Sequence, residues 1–215
     1  MAVEATQSRH AALMDSVYKG QRHIYDATRK YYLFGRDTLI KGLDAEPGMR
    51  VLEIACGTGR NLAKIGRKWP RTRLYGLDIS AEMLKNARKS LGGKATLGKG
   101  DACSFDPVQL FEEPKFDRIV LSYALSMIPD WEIAVDHAAS LLAPGGELHV
   151  VDFGDLTGMP GPFESGLHAW LAKFHVKTRS ALPDACEQIA ATRGLTHRRQ
   201  RGKLGYFQLH VLTAL

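Results

Sequence analysis

Three carboxylates stand where runs of strand-forming residues end: Glu53 in RVLEIA, Asp78 in RLYGLDI, and Asp101 in the GDA that follows ATLGKG. Strand ends are where doubly wound sheets hold ligands. Between the first two lies a glycine turn, Gly57-Thr58-Gly59, leading into a helix-like segment. Such a turn lets a ligand approach the backbone, and the helix N-terminus behind it favours negative groups. A pyrophosphate-reading loop carries a third glycine, G-x-G-x-x-G, for close packing of helix on strand. Leu62 stands at that position, which weakens the phosphate reading. The acids point elsewhere. Glu53 can receive an ammonium group or an ordered water. Asp78, about 20 residues past the glycines, is placed for ribose hydroxyls. Asp101 can accept from an exocyclic adenine amine, with an Asx turn as the structural alternative. Together they suit a ligand with ribose, adenine and an amino-acid ammonium.

These residues need alternating strands and helices to position them. RVLEIA, RLYGLDI, ATLGKGDA, FDRIVLSYAL and ELHVVDF read as strands. GRNLAKIGRKWP reads as a helix, as does SAEMLKNARKSL with Ser80 as N-cap, and DWEIAVDHAASLLAPGG ends at Pro144 and the glycine pair. Strict alternation implies right-handed crossovers and a parallel sheet. After Phe153 the pattern changes: a Gly/Pro-rich loop, the helix PDACEQIAATRG, then LTHRRQ and YFQLHVLTAL, close enough to pair as an antiparallel hairpin. Residues 8–43 read as helical, with Leu13, Val17, Ile24, Ala27 and Tyr31 near helical spacing, and EPGM is a turn. The expectation is an α/β, Rossmann-like fold of seven strands, the last antiparallel. An N-terminal helical lid (1–45) precedes the core (46–215), all in one structural domain.

The ordered set VLEIACGTGRN, LYGLDIS, GKGDA, FDRIVLSYALSMIPDW and LLAPGGELHVVDF resembles the class I S-adenosylmethionine-dependent methyltransferases. The resemblance runs from about Arg50 to Phe153. It implies S-adenosyl-L-methionine as cofactor and S-adenosyl-L-homocysteine as product. It assigns the cofactor to Glu53, Ala55, Gly57, Gly59, Asn61, Asp78, Ile79, Met83, Asp101, Ala102 and Ser122, with Tyr31 and Arg36 from the N-terminal segment. Ala55 departs from the more usual glycine. Met83 has core packing as its alternative, and Cys56, Cys103 and Cys186 read as packing residues.

Methyl transfer is an in-line displacement, in which the protein positions a lone pair about 3 Å from the methyl and excludes water. Aromatic faces can hold a cationic amine. Tyr25, Tyr31, Tyr32 and Phe34 are concentrated in IYDATRKYYLFGRD beside Arg29, Lys30 and Arg36; Arg36 suits a carboxylate. Candidate acceptor-side residues are Tyr25, Tyr32, Tyr123 and Asp152. Residues 10–40 and Asp152 to Val176 also resemble the bacterial betaine-lipid methyltransferases. That likeness implies trimethylation of the homoserine amine of diacylglyceryl-homoserine. In PFESGLHAWLAKFHVKTR, Phe163, Leu167, Trp170, Leu171 and Phe174 form an apolar stripe with Lys173, His175, Lys177 and Arg179 close by. It suits an anionic membrane surface, with a core helix as the alternative. The run His197–Lys203 divides in the same way between lipid docking and a solvated hairpin. His149 reads as a core histidine.

The chain has 215 residues, formal net charge +6 and pI about 9.3, which favours an acidic partner. SYAL, where methyltransferases of exocyclic base amines carry N/D-P-P-Y/F/W, lowers a nucleic-acid reading. Three cysteines with no CxxC and no Cys/His pair at metal spacing argue for a reducing compartment and against a zinc site. There is no signal-peptide apolar block and no transmembrane run, so the expected location is cytoplasmic, peripheral on the inner membrane face. Methylation of phosphatidylethanolamine, a small amine or nucleic acid, and a non-catalytic cofactor-binding module, are the alternatives.

Overall fold

The computed structural model describes residues 34–161, 166 and 178–215. A seven-stranded sheet runs in the order β3-β2-β1-β4-β5-β7-β6. Its strands are β1 (Arg50–Ile54), β2 (Arg73–Asp78), β3 (Thr96–Lys99), β4 (Phe116–Ser122), β5 (Leu142–Phe153), β6 (Leu195–Arg201) and β7 (Phe207–Ala214). The first five pair in parallel, and β7 is antiparallel to both β5 and β6. The helices are α1 (Gly35–Lys41), α2 (Arg60–Lys68), α3 (Ala81–Leu91), α4 (Pro107–Phe111), α5 (Trp131–Ser140) and α6 (Leu182–Arg193).

The strands read as apolar runs because both sheet faces are covered. Leu52, Ile54, Ile119, Leu121, Leu148 and Val150 face a core shared with α5 and α6. Val51, Val120 and Val151 face the other, with Leu39, Leu62, Ile65 and Leu84 from α1 to α3 and Leu43 from the turn after α1. Alternation along β1 therefore puts Glu53 on the same face as Val51, under α1 and α2.

Local signals explain the element ends. The Ser80 hydroxyl accepts from Met83 N–H (3.3 Å), capping α3 as the sequence predicts. Asp106 accepts from Val108 and Gln109 N–H with Pro107 in the first turn, forming α4, a short helix that periodicity alone does not reveal. Helix α5 stops at Ser140, earlier than the expected stop at Pro144. The reason is pairing: Leu142 is already opposite Phe116, and the register then slips before Arg118, so Pro144 sits in an irregular strand start. On the edge strand β6, exposed Arg198, Arg199 and Arg201 place charge on an otherwise pairable edge.

Away from the carboxyl ends of the strands, Arg50 grips Asp117 through two hydrogen bonds of 3.0 Å. Glu113 accepts from Tyr75 (2.9 Å) and from Arg73. This clamp ties β1, β2 and the start of β4 together.

At Gly76 β2 is tightly covered: a Cβ there would meet Leu97 Cδ2 at 2.7 Å, Leu62 Cδ1 at 2.8 Å and Cys56 Sγ at 2.9 Å. Gly76→Ala is expected to cost about 1–3 kcal/mol by overpacking, read from urea denaturation. An unchanged midpoint would show that α2 does not seat on β2 this closely.

Candidate functional site

Glu53 lies one residue before the end of β1 and is almost fully buried. Its Oε1 accepts from Asn61 Nδ2 at 2.7 Å, while Oε2 is buried with no hydrogen-bond partner among the described residues. Burial pushes its pKa up to about 8, and the nearby Arg36 pulls the other way. Arg36, on α1, is itself buried, and its Nε has no partner among the described residues. Burial, together with the repulsion of Arg60, lowers its pKa. A buried carboxyl and a buried guanidinium, each with a polar atom unsatisfied among the described residues, therefore face one region.

Gly35 makes this possible. A Cβ there would meet the Phe207 ring and Val151 Cγ2 at 2.6 Å, so glycine lets α1 seat against β5 and β7. The Gly35 N–H donates to the Tyr123 hydroxyl at 3.3 Å, and Asp37 pairs with Lys64 at 2.6 Å, tying α1 to α2.

The turn after β1 is held by the next strand. Cys56 N–H donates to Leu77 O (2.9 Å) and Gly57 N–H to Asp78 Oδ2 (2.7 Å), while Asp78 Oδ1 accepts from Ser80 N–H (2.9 Å). Asp78 thus fixes the turn and its own helix cap as well as standing at the expected ribose position. Gly57 has φ 55°, and a Cβ there would meet nothing within 4 Å, so the backbone borders open space. At Gly59, φ 76°, a Cβ would meet Leu91 Cδ1 at 2.7 Å. Gly59 provides close packing against α3, and the fully buried Leu62 fills the place of the absent third glycine.

Asp101 forms the Asx turn that was the structural alternative: its Oδ1 accepts from Cys103 N–H at 2.8 Å. Ile79, Asp101 and Ala102 are half-buried and Met83 is buried. Burial pushes the Cys56 thiol well up and the Cys103 thiol up to about 12, so neither is a thiolate at neutral pH.

On the acceptor side, Ser122 Oγ is buried without a partner among the described residues. Tyr123 is buried in a left-handed conformation, φ 52°, and burial raises its hydroxyl pKa. A run of edge-on ring contacts joins Tyr123 to Phe153 (4.9 Å between centroids), Phe153 to Tyr206 (6.1 Å) and Tyr206 to Phe34 (5.0 Å). Asp152 is fully buried and accepts from Phe153 N–H at 2.8 Å. Arg179 donates to the carbonyls of Leu125 (2.9 Å) and Ile128 (3.0 Å) and lies over the Trp131 ring at 5.6 Å. Its pKa is lowered by burial and raised by Asp152. His149 is a buried core histidine whose Nε2 meets Glu147 at 2.9 Å. Tyr25, Tyr31, Tyr32 and the stripe from Phe163 to Phe174 lie outside the described residues.

The sequence reading missed Gly35 and Tyr206. The glycine in YLFGRD was its own signal, a small residue beside a candidate ligand arginine. Tyr206 lies in the turn just before β7 and carries no pattern that marks it.

Residues 52–148 match the methyltransferase-domain family. The chain is 28% identical over 172 residues to the demethylmenaquinone methyltransferase of Desulfitobacterium hafniense, covering 75% of this chain and 65% of that protein. It is 31% identical over 152 residues to the ubiquinone/menaquinone biosynthesis C-methyltransferase UbiE of Shewanella halifaxensis, covering 67% and 61%. The chain thus spans less than two thirds of these relatives. The plantazolicin methyltransferase BamL, solved with a triazolic desmethylPZN analog and SAH, superposes with TM-score 0.70 at 14% identity over 99% of each chain. The sheet order, with its antiparallel last strand, is that of the α/β methyltransferase fold. The cofactor of this class is S-adenosyl-L-methionine. No helix among the described residues is long and apolar enough to cross a membrane.

Ala55 holds φ 57°, a conformation that costs an L-residue about 1–2 kcal/mol, partly offset by the extra chain freedom glycine has when unfolded. Ala55→Gly is expected to stabilise the protein by about 0.5–1 kcal/mol in chemical denaturation. A loss of stability would show that the alanine methyl contributes packing that outweighs the strain.

Proposed function

We propose that this chain is an S-adenosyl-L-methionine-dependent N-methyltransferase acting on a lipid head group, trimethylating diacylglyceryl-homoserine to diacylglyceryl-trimethylhomoserine. The observation that carries the cofactor half is that Glu53 Oε2 and Arg36 Nε, close enough to influence each other electrostatically, are both buried and unsatisfied among the described residues. A methionine moiety has an ammonium for the first and a carboxylate for the second. Asp78 would take the ribose hydroxyls, and Asp101 the adenine amine through the oxygen outside its Asx turn. Ile79, Met83 and Ala102 would flank the base. Ala55, Gly59, Asn61 and Ser122 would shape the methionine end, and Tyr31 would close over it from the lid formed by residues 1–45. When bound, the cofactor supplies a methyl activated by its sulfonium.

The chain's own task is then to position a neutral amine in line and exclude water. Burial of an ammonium lowers its pKa, which favours the neutral nucleophile, and aromatic faces suit the cationic product. The Tyr123–Phe153–Tyr206–Phe34 ring series and the buried Asp152 support an amine acceptor. Tyr25 and Tyr32 would add aromatic faces from the lid. Exposed Arg198 and Arg199 on β6 suit an anionic membrane surface, with peripheral association at the cytoplasmic face. A second reading, C-methylation of a lipid-soluble quinone ring, has support in the names of the two relatives.

The test is incubation of the purified full chain with methyl-labelled cofactor and total bacterial lipid extract, followed by mass identification of the labelled product. Homoserine lipid carrying one to three added methyl groups is the expected result. Label confined to a quinone ring, to phosphatidylethanolamine or to added nucleic acid would overturn the proposed acceptor. Cofactor binding with no transfer to any of them would overturn the enzyme.

A further inference from the structure

A second cluster lies on the far side of the sheet, where α6 packs on the β6–β7 hairpin. Cys186 comes from α6, His197 from β6 and His210 from β7, and one ligating atom from each lies within 4.8 Å of the others. His197 Nε2 is 2.9 Å from His210 Nδ1, with the rings stacked at 11° and 5.2 Å between centroids. Cys186 and His210 are fully buried; His197 is half-exposed and opens the cluster to solvent.

The hydrogen bonds around His210 determine which nitrogen carries its proton. The Gln208 amide nitrogen donates to Phe153 O (2.9 Å) and Arg179 O (3.2 Å), so its Oε1 is turned toward His210 Nε2 at 3.0 Å. That oxygen only accepts. His210 Nε2 therefore bears the proton and Nδ1 presents a lone pair toward His197 and Cys186. Metal-ligating histidines are oriented in this way, through a second partner that fixes the tautomer.

We propose that Cys186, His197 and His210 bind a divalent transition-metal ion, Zn2+ by preference, with Gln208 orienting His210 and solvent at the fourth position. One thiolate and two imidazoles suit the borderline-soft zinc ion and its tetrahedral geometry. On binding, the Cys186 thiol proton leaves to solvent, and the His197 proton moves from Nε2 to Nδ1. Of the charges nearby, Arg199 opposes a cation and Glu187 favours it. The site is independent of the methyl-transfer reading.

The full chain, free of metal and of any affinity tag, is titrated with Co2+ and followed by absorbance. The expected result is one equivalent bound, with tetrahedral visible bands and a thiolate-to-cobalt charge-transfer band displaced by Zn2+. Cys186→Ser should abolish the charge-transfer band. His197→Ala, at a half-exposed position and checked for folding by circular dichroism, should weaken binding by about 100-fold or more. Zn2+ should raise the melting temperature of the wild type and not of His197→Ala. Absence of cobalt binding, or a charge-transfer band that survives Cys186→Ser, would overturn the site.

Discussion

A carboxylate placed inside an apolar sheet is expensive, because burial strips water from a charge that its surroundings do not replace. Glu53 is such a group, and much of the local architecture can be understood as its support. Asn61 satisfies one oxygen from the first turn of α2. Arg36 provides positive potential from α1. The second oxygen is left for something that arrives. A chain optimised for stability alone would carry an apolar residue here, since buried charges generally cost more than well-packed hydrophobic replacements. Retaining the carboxylate is understandable if its partner is a ligand's ammonium group.

The rest of the site extends that constraint outward. Left-handed non-glycine residues occur just beyond the ends of β1 and β4, at Ala55 and Tyr123, both bordering the region of Glu53 and Arg36. Such conformations persist only where surrounding structure over-determines them. Here that structure is the Asp78 grip on Gly57 N–H and the Tyr123 contact with Gly35. The same hydroxyl that is held under α1 thereby helps fix where Arg36 lies.

Much of this was legible in the sequence because it rests on local rules. The alternation of strand and helix, the Ser80 cap, the glycine turn and the closing hairpin are all set by neighbours along the chain. Glu53 stood out as a charge in an apolar run, but its cationic neighbour Arg36 comes from a distant helix, and only packing brings them together. Asp101 was read with two roles open, and the Asx turn is the one the described contacts show. The early end of α5 escaped because strand pairing of Leu142 with Phe116 overrides the helix-stop signal at Pro144. The Cys186–His197–His210 cluster was invisible for a related reason. Its ligands come from a helix and two strands, so no short spacing announces them, and the cysteine count argued against a metal.

The central claim is that Glu53 receives the cofactor's ammonium as a carboxylate. Its pKa in the free protein is raised from 4.5 to about 8, so near neutrality it is largely protonated. The unfolded chain gives up that proton first, so this group's contribution to stability falls as pH rises from about 4.5 to 8 and is level above. An ammonium favours the charged form, and binding must then expel the proton. Calorimetry of S-adenosyl-L-methionine binding, in buffers of different ionisation heat, measures this directly. Release of most of one proton near pH 7, fading above pH 8 and absent in Glu53→Gln, is the result the account predicts. Tight binding with no proton release at any pH, or release unchanged in Glu53→Gln, would contradict it.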